Sequence, residues 1–263
     1  MKCFSVTIDG YIMQGIFHQT KTEYRHTGEG RDVILLHGWG QNMTMMSAVE
    51  QHLQDRFSVW NLDFPGFGES DAPSEPWGVP DYTAFLEDFI VQNGIKDPIL
   101  IAHSFGCRVA IRYAAVHHDV HKMCLTGAAG IRPKHGLKYQ VRTKMYKVGK
   151  WALKVTGNTK KLEELQKNSG SADYRAAEGV MRPTFVKVVN DDVTPVLKDV
   201  QCPVLLVWGE YDEAVPLWMG QLMEKEMPDA GLAVFENDDH FAYWHQADRF
   251  NRVLDVFLKG DVK

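Results

Sequence analysis

Three side chains of this sequence stand where serine chemistry would need them. The apolar, strand-like run from Pro98 to His103 ends in Ser104 and passes, after Phe105-Gly106, into a helical pattern. One hydroxyl is thereby set on a sharp strand-to-helix corner, beside the Phe105 N–H at the positive start of a helix. Ala102 and Gly106 supply the small neighbours such a corner requires, one residue off the strict G-x-S-x-G pattern. Taken alone, Ser104 could equally be a helix cap. What turns the balance is that Asp212 follows the buried-strand run Pro203–Trp208, and His240 follows a strand over 231–236. A hydroxyl is a poor nucleophile at its own pKa, so an imidazole must take its proton and a carboxylate must fix the tautomer of that imidazole. Three strand ends can deliver these three groups to one edge of a sheet.

The elements that would position them can be read from periodicity. Strands are expected at 3–9, 11–20, 33–36, 58–62, 99–102, 122–126, 204–207 and 232–235, the first two joined by a hairpin at Asp9-Gly10. Helical patterns over 44–55, 81–93, 105–117, 216–227 and 241–258 alternate with the later strands. Such alternation predicts an α/β fold with a mostly parallel eight-stranded sheet covered by helices on both faces.

The segments His37-Gly38-Trp39-Gly40, Asp63 to Ser70 (D-F-P-G-F-G-E-S), Ser104 in its corner, Trp208 to Asp212 (W-G-E-Y-D) and Asp239-His240 together resemble the α/β-hydrolase superfamily over about residues 30 to 260. Within it the chain looks most like the small capped bacterial hydrolases that include carboxylesterases, lactonases, carbon-carbon bond hydrolases and perhydrolases. The resemblance implies Ser104 as nucleophile, His240 as general base and acid, and Asp212 as the orienting carboxylate. It implies an oxyanion hole from the backbone N–H groups of Phe105 and Trp39. Ala102 and Cys107 stand where glycines are common, and both are small enough for the helix to stay close to the strand. The expected activity is cleavage of a carboxylic ester, with small to medium acyl or aryl esters as substrates. Carbon-carbon bond cleavage, enol-lactone opening and perhydrolysis use the same groups, and a slow-turnover ligand sensor is the alternative from another class.

Asp238 and Asp239 compete with Asp212 as the carboxylate partner, although neighbours of a histidine along a loop seldom reach its Nδ1. His37 is expected to hold the loop that presents the Trp39 N–H, and Asp63 to fix the turn from Phe64 to Ser70. His103 adjoins Ser104 but must point elsewhere, and His245 falls to surface or packing. Trp39, Phe64 and Phe241 are candidates for lining an apolar substrate pocket, with Phe105 and Trp244 as further aromatic neighbours.

From Gly130 to about Asp192 the strand-helix alternation stops. Residues 1–130 and 192–263 are therefore expected to form the catalytic core and 131–191 a helical cap. Residues 131–187 carry 14 Lys and Arg against 4 Asp and Glu, in a chain of net charge -5. Over 137–155 the apolar residues follow helical spacing, which predicts a basic amphipathic helix. It can seat on the core, act as a lid that attracts anionic esters, or touch an anionic membrane surface. Nucleic acid is a poor partner for so acidic a remainder. The 263 residues contain no apolar run of membrane-spanning length, and the N-terminal stretch alternates rather than forming a leader, so a cytoplasmic protein is expected. The four cysteines lie in apolar settings without metal-ligand spacing, which points to reduced thiols, no metal and no cofactor.

Overall fold

The computed structural model describes residues 3–7, 10–132, 153 and 171–261. Among the described residues a single sheet of nine strands runs β1 (Cys3–Thr7), β2 (Gly10–Phe17), β3 (Thr20–Thr27), β4 (Asp32–Leu36), β5 (Ser58–Leu62), β6 (Ile99–His103), β7 (Lys122–Thr126), β8 (Val204–Gly209) and β9 (Ala230–Phe235) in chain order. In space the order is β1-β2-β3-β5-β4-β6-β7-β8-β9, with β1, β2, β3 and β5 pairing antiparallel and every later pair parallel.

The expected mostly parallel sheet is present, with nine strands rather than eight. The stretch expected as one strand over 11–20 ends at Phe17, and β3 returns beside it. The turn is made by His18 and Gln19, both at positive φ (45° and 62°). That is the backbone of a two-residue hairpin turn, normally announced by Asn-Gly or Asp-Gly, and His-Gln announces nothing. The Asp9 turn lies outside the described residues, although Thr7 does pair with Gly10.

The parallel strands are apolar on both faces, and their alternation divides the core. Ile34, Leu36, Leu100, Ala102, Leu206 and Trp208 face one cluster with α2 (Val79–Asn93), α3 (Phe105–His117) and α6 (Leu217–Glu226). Val33, Leu35, Ile99, Ile101 and Val207 face a second with α1 (Ser47–Leu53) and α8 (Ala247–Phe257). The helix expected over 241–258 is broken at Gln246 into α7 (Ala242–His245) and α8. Cys107, Cys124 and Cys202 are buried free thiols.

After β5 the chain crosses to the other side of β4 to form β6. This reversal makes the carboxyl ends of β4 and β6 the place where an open α/β sheet leaves a crevice. Leu36 pairs with Ala102 there, so the loop from His37 to Trp39 rises directly beside Ser104.

The stretch expected as a cap leaves the sheet after β7 and returns before β8. Its ends meet: the Val193 N–H donates to the Gly130 carbonyl (3.0 Å), and Arg132 donates to the Asn190 carbonyl. Arg112 grips the Asp191 carboxylate with two nitrogens (2.9 and 3.2 Å), and Arg108 donates to the Asp191 carbonyl (2.6 Å). Burial lowers the Arg108 pKa to about 10, opposed by Asp191 and Asp192. The described part of this stretch forms α4 (Ala172–Ala176) and α5 (Met181–Val189). The basic helix expected over 137–155 lies, apart from Leu153, outside the described residues. No helix among the described residues is long and apolar enough to cross a membrane.

Candidate active site

Ser104 sits between β6 and α3 with φ 48° and ψ -105°, a conformation that costs an L-residue of order 1–3 kcal/mol. The surroundings over-determine it. The Ser104 N–H donates to the Thr126 carbonyl (3.0 Å), and its own carbonyl accepts from the N–H groups of Cys107 and Ala129 (both 3.2 Å). The tight corner brings α3 down onto the end of β4. A Cβ on Gly106 would stand 2.5 Å from the Leu36 carbonyl oxygen, which explains the glycine two residues past the serine. Ala102 and Cys107 are fully buried and fit at their positions.

His240 reaches Ser104 across the sheet. Its Nε2 lies 2.9 Å from Ser104 Oγ and its Nδ1 lies 2.7 Å from Asp212 Oδ2. An ionised carboxylate only accepts, so Asp212 places the imidazole proton on Nδ1 and leaves Nε2 bare toward the hydroxyl. The second Asp212 oxygen accepts from the Val215 N–H (2.8 Å), and Trp208 Nε1 donates to the Val215 carbonyl (2.7 Å), which fastens the loop after β8 from beneath. The Asp212 side chain is entirely buried while His240 keeps a small exposed edge.

Asp238 and Asp239 turn to other partners. Asp238 accepts from His245 Nδ1 and Gln246 Nε2 (both 2.8 Å), and Asp239 accepts from the Phe241 N–H (2.9 Å). The Asp238 bond raises the His245 pKa, with burial opposing it. Among the described residues, Asp238, Asp239 and His245 are also the one grouping with metal-ligand proximity, and their atoms already serve the loop that carries His240.

The Trp39 loop is held through the peptide that precedes Trp39. The Gly38 carbonyl accepts from His37 Nδ1 (2.7 Å) and from the Gln41 N–H (3.3 Å), while Gln41 Oε1 accepts from the Gly38 N–H (3.1 Å). A trans peptide is planar, so fixing that carbonyl fixes the Trp39 N–H in the opposite direction. His37 Nε2 accepts from the Phe64 N–H (3.0 Å), and burial lowers the His37 pKa to about 4, so the ring stays neutral and keeps both bonds. Among the described residues the Trp39 and Phe105 N–H groups have no protein acceptor, and Phe105 N–H is an orphan donor at the first turn of α3. Asp63 bonds the N–H groups of Met43 (2.6 Å) and Glu69 (2.9 Å) and so holds the turn after β5.

Of the aromatic candidates, Trp39 is half-buried and Phe241 packs against His103 and His240 with centroids 5.4 Å away in each case. Phe64 is fully buried, ringed by His37, Tyr82, Phe85 and Phe105, and supports the wall from behind. Trp244 is exposed. His103 points away from Ser104: its Nδ1 lies 3.0 Å from Thr126 Oγ1, its ring packs 4.7 Å from that of His240, and burial holds its pKa well below the usual value.

Two contributors were missed by sequence reasoning. Gln41 is a polar residue in a loop, with no signal to set it apart. Gly127 follows β7 at the same sheet edge, and it has φ 50° with a Cβ position 2.9 Å from His240 Nδ1 and 3.3 Å from Asp212 Oδ2. A glycine just past a strand at the functional edge was the available sign.

Comparison with known proteins places the chain in a family. The chain matches the Alpha/beta hydrolase family over residues 33–253. It is 28% identical to the 2-hydroxy-6-oxo-6-phenylhexa-2,4-dienoate hydrolase of Comamonas testosteroni, with 90% of each chain covered. It is 25% identical to the pimeloyl-[acyl-carrier protein] methyl ester esterase of Chromobacterium violaceum, covering 88% of this chain and 96% of that one. Its fold is similar to that of an esterase from Exiguobacterium antarcticum, with a TM-score of 0.72 at 21% identity over 99% of this chain and all of the other.

Proposed function

Because the chain belongs to the alpha/beta hydrolase family, we propose that it is a serine hydrolase that splits a carboxylic ester through an acyl-enzyme on Ser104. The observation that carries this reading is the continuous hydrogen-bonded path from Ser104 Oγ through His240 to the buried Asp212 carboxylate. Ser104 Oγ adds to the ester carbonyl as His240 Nε2 takes its proton, and the carbonyl π pair moves onto oxygen. The Trp39 and Phe105 N–H groups receive that oxyanion. Asp212 stabilises the imidazolium, which then protonates the departing alkoxide. Water, deprotonated by the same Nε2, adds to the acyl-enzyme, and Ser104 leaves with the proton held by His240. Each oxyanion donor is worth about 2.7–4 kcal/mol in reactions of this type. The substrates that fit the reading are small to medium acyl or aryl esters, anionic ones included.

A second reading, hydrolysis of a carbon-carbon bond beside a ketone, is favoured by the match to the Comamonas enzyme. It uses the same base and the same donors on a different leaving group.

The test is labelling with a fluorophosphonate and peptide mapping, beside turnover of p-nitrophenyl esters of increasing acyl length and of a 2-hydroxy-6-oxo-dienoate. We expect label on Ser104, steady ester turnover, and loss of about 10⁴-fold or more in Ser104→Ala. Wild-type rates in that variant would remove the nucleophile. Dienoate cleavage far faster than any ester would move the assignment to the second reading.

A further inference from the structure

The two N–H groups assigned to the oxyanion belong to residues whose side chains are in contact. The Trp39 and Phe105 rings meet edge to face at 5.6 Å between centroids. Phe67, from the turn after β5, closes on Trp39 from a second direction at 4.8 Å. A third ring comes from far along the chain: Phe185, on α5 in the stretch between β7 and β8, lies 5.1 Å from Trp39.

Trp39 depends on these rings because the backbone bonds of its loop end at Gly38 and Gln41. Between them Gly40 is exposed, at φ 71°, with open space where a Cβ would be. The hydrogen bonds of His37 and Gln41 set the direction of the Trp39 N–H. They leave the peptide free to rock about that line, and a ring pressed against the indole removes the freedom.

Phe185 is fit for this because α5 is itself anchored to the core. The Trp77 N–H donates to the Thr184 hydroxyl (3.1 Å). Met181 lies so close over Gly66 that a Cβ there would be 2.4 Å from its sulfur. Phe185 itself is 9% exposed.

We propose that Phe185 is a positioning residue for the oxyanion hole: its ring, brought by α5 from the inserted stretch, clamps Trp39 against Phe105 and fixes the spacing of the two N–H donors. The proposal rests on the serine-hydrolase reading. It makes the reaction rate, and not only substrate entry, depend on where α5 lies. A displacement near 1 Å in a reacting group can cost about 10²-fold, so loosening one donor of two should cost on the order of 10-fold.

The test is a double-mutant cycle on Trp39→Ala and Phe185→Ala, since Trp39→Ala keeps the N–H and removes the ring through which Phe185 acts. The readouts are kcat and KM on p-nitrophenyl acetate and the inhibition constant of 1,1,1-trifluoroacetone. Addition of Ser104 Oγ to that ketone places an oxyanion on a ligand too small to fill a large pocket. We expect Phe185→Ala to lower kcat about 10-fold, to weaken the ketone by a similar factor, and to change KM less than about threefold. In the Trp39→Ala background the same change should cost less than about twofold, and Phe185→Tyr should restore most of kcat. Phe185→Leu keeps the apolar bulk and runs the same cycle if the alanine variant does not fold. A loss that multiplies in full on Trp39→Ala, or a rise in KM alone, overturns the clamp. Ser104→Ala is assayed beside them, and turnover there refutes the underlying reading instead.

Discussion

The floor of the site and its wall are built by different means. On the floor, Ser104 and Asp212 are held by backbone bonds at strand ends, Thr126 on the Ser104 N–H, Val215 on Asp212 and Gly209 as acceptor for the Asp212 N–H, and His240 is held between them by both ring nitrogens. On the wall, Trp39, Phe67, Phe105 and Phe185 hold one another by ring contacts between 4.8 and 6.3 Å. A hydrogen-bonded floor has one geometry, whereas a packed wall can be repacked with apolar groups of similar volume. Changes to the floor should therefore cost large factors in kcat, and changes to the wall should be smaller and open to rescue by shape.

The largest effect that would sharpen this contrast comes from Asp212→Asn. The amide can donate toward His240 Nδ1, which forces the imidazole proton onto Nε2, where it faces Ser104 Oγ and blocks proton acceptance. We expect kcat to fall about 10⁴-fold with little change in thermal midpoint, measured on the same ester. A loss below about tenfold would mean that the tautomer does not matter and that the floor is less specified than its bonds imply.

Gly127→Ala comes next. The site needs a left-handed backbone at this residue, and the new Cβ would stand within 3.0 Å of two atoms of the His240 ring. Something must yield, and the imidazole edge is nearer than the carboxylate. We expect kcat to fall about 10²-fold while KM holds. An unchanged kcat would break the comparison, because it would show the floor yielding as readily as the wall.

Floor and wall also differ in how legible they were in the sequence. The strand runs ending at Ala102 and Trp208 are continuous and apolar because both sheet faces are covered; Ser104 follows the first almost at once, whereas Asp212 stands four residues past the second with Glu210 between. His240 comes five residues after β9, behind Asn237, Asp238 and Asp239, and was picked out as the imidazole of that loop. Ser104, Asp212 and His240 could thus be named, and the strand order then explains why they share an edge. The contact of Phe185 with Trp39 left no trace, since aromatic residues in a helical stretch announce burial without naming a partner. Gln41 was invisible for a related reason: its amide matters only because the loop curls back on Gly38. The β3 strand was missed because His18 and Gln19 adopt positive φ without the glycine or asparagine that signals it. In each case tertiary contact overrides what local sequence prefers.

The smallest expected effect concerns His37, which ties the Trp39 loop to the turn after β5 by holding the Gly38 carbonyl and the Phe64 N–H at once. Its pKa is lowered to about 4 by burial, against about 6.5 in an unfolded chain. Between those values the unfolded chain binds a proton that the native ring refuses, so stability falls as pH drops from 6.5 toward 4 and is fully present above that window. The shift corresponds to at most about 3–4 kcal/mol. His103, whose pKa is lowered in the same direction, adds to the same slope. Urea midpoints at pH 7, 5.5 and 4.5 should decline in wild type and decline less in His37→Gln, which keeps a donor and an acceptor but has no titrating ring. The residual slope in that variant combines His103 with His245 and Asp63, whose raised pKa values act in the opposite direction. Because Nε2 can accept from Phe64 only while the ring is neutral, and the native ring stays neutral down to about pH 4, any loss of ester turnover that passes through His37 should appear only near that pH and be absent from His37→Gln. Parallel pH profiles in wild type and His37→Gln would show that the link is passive packing.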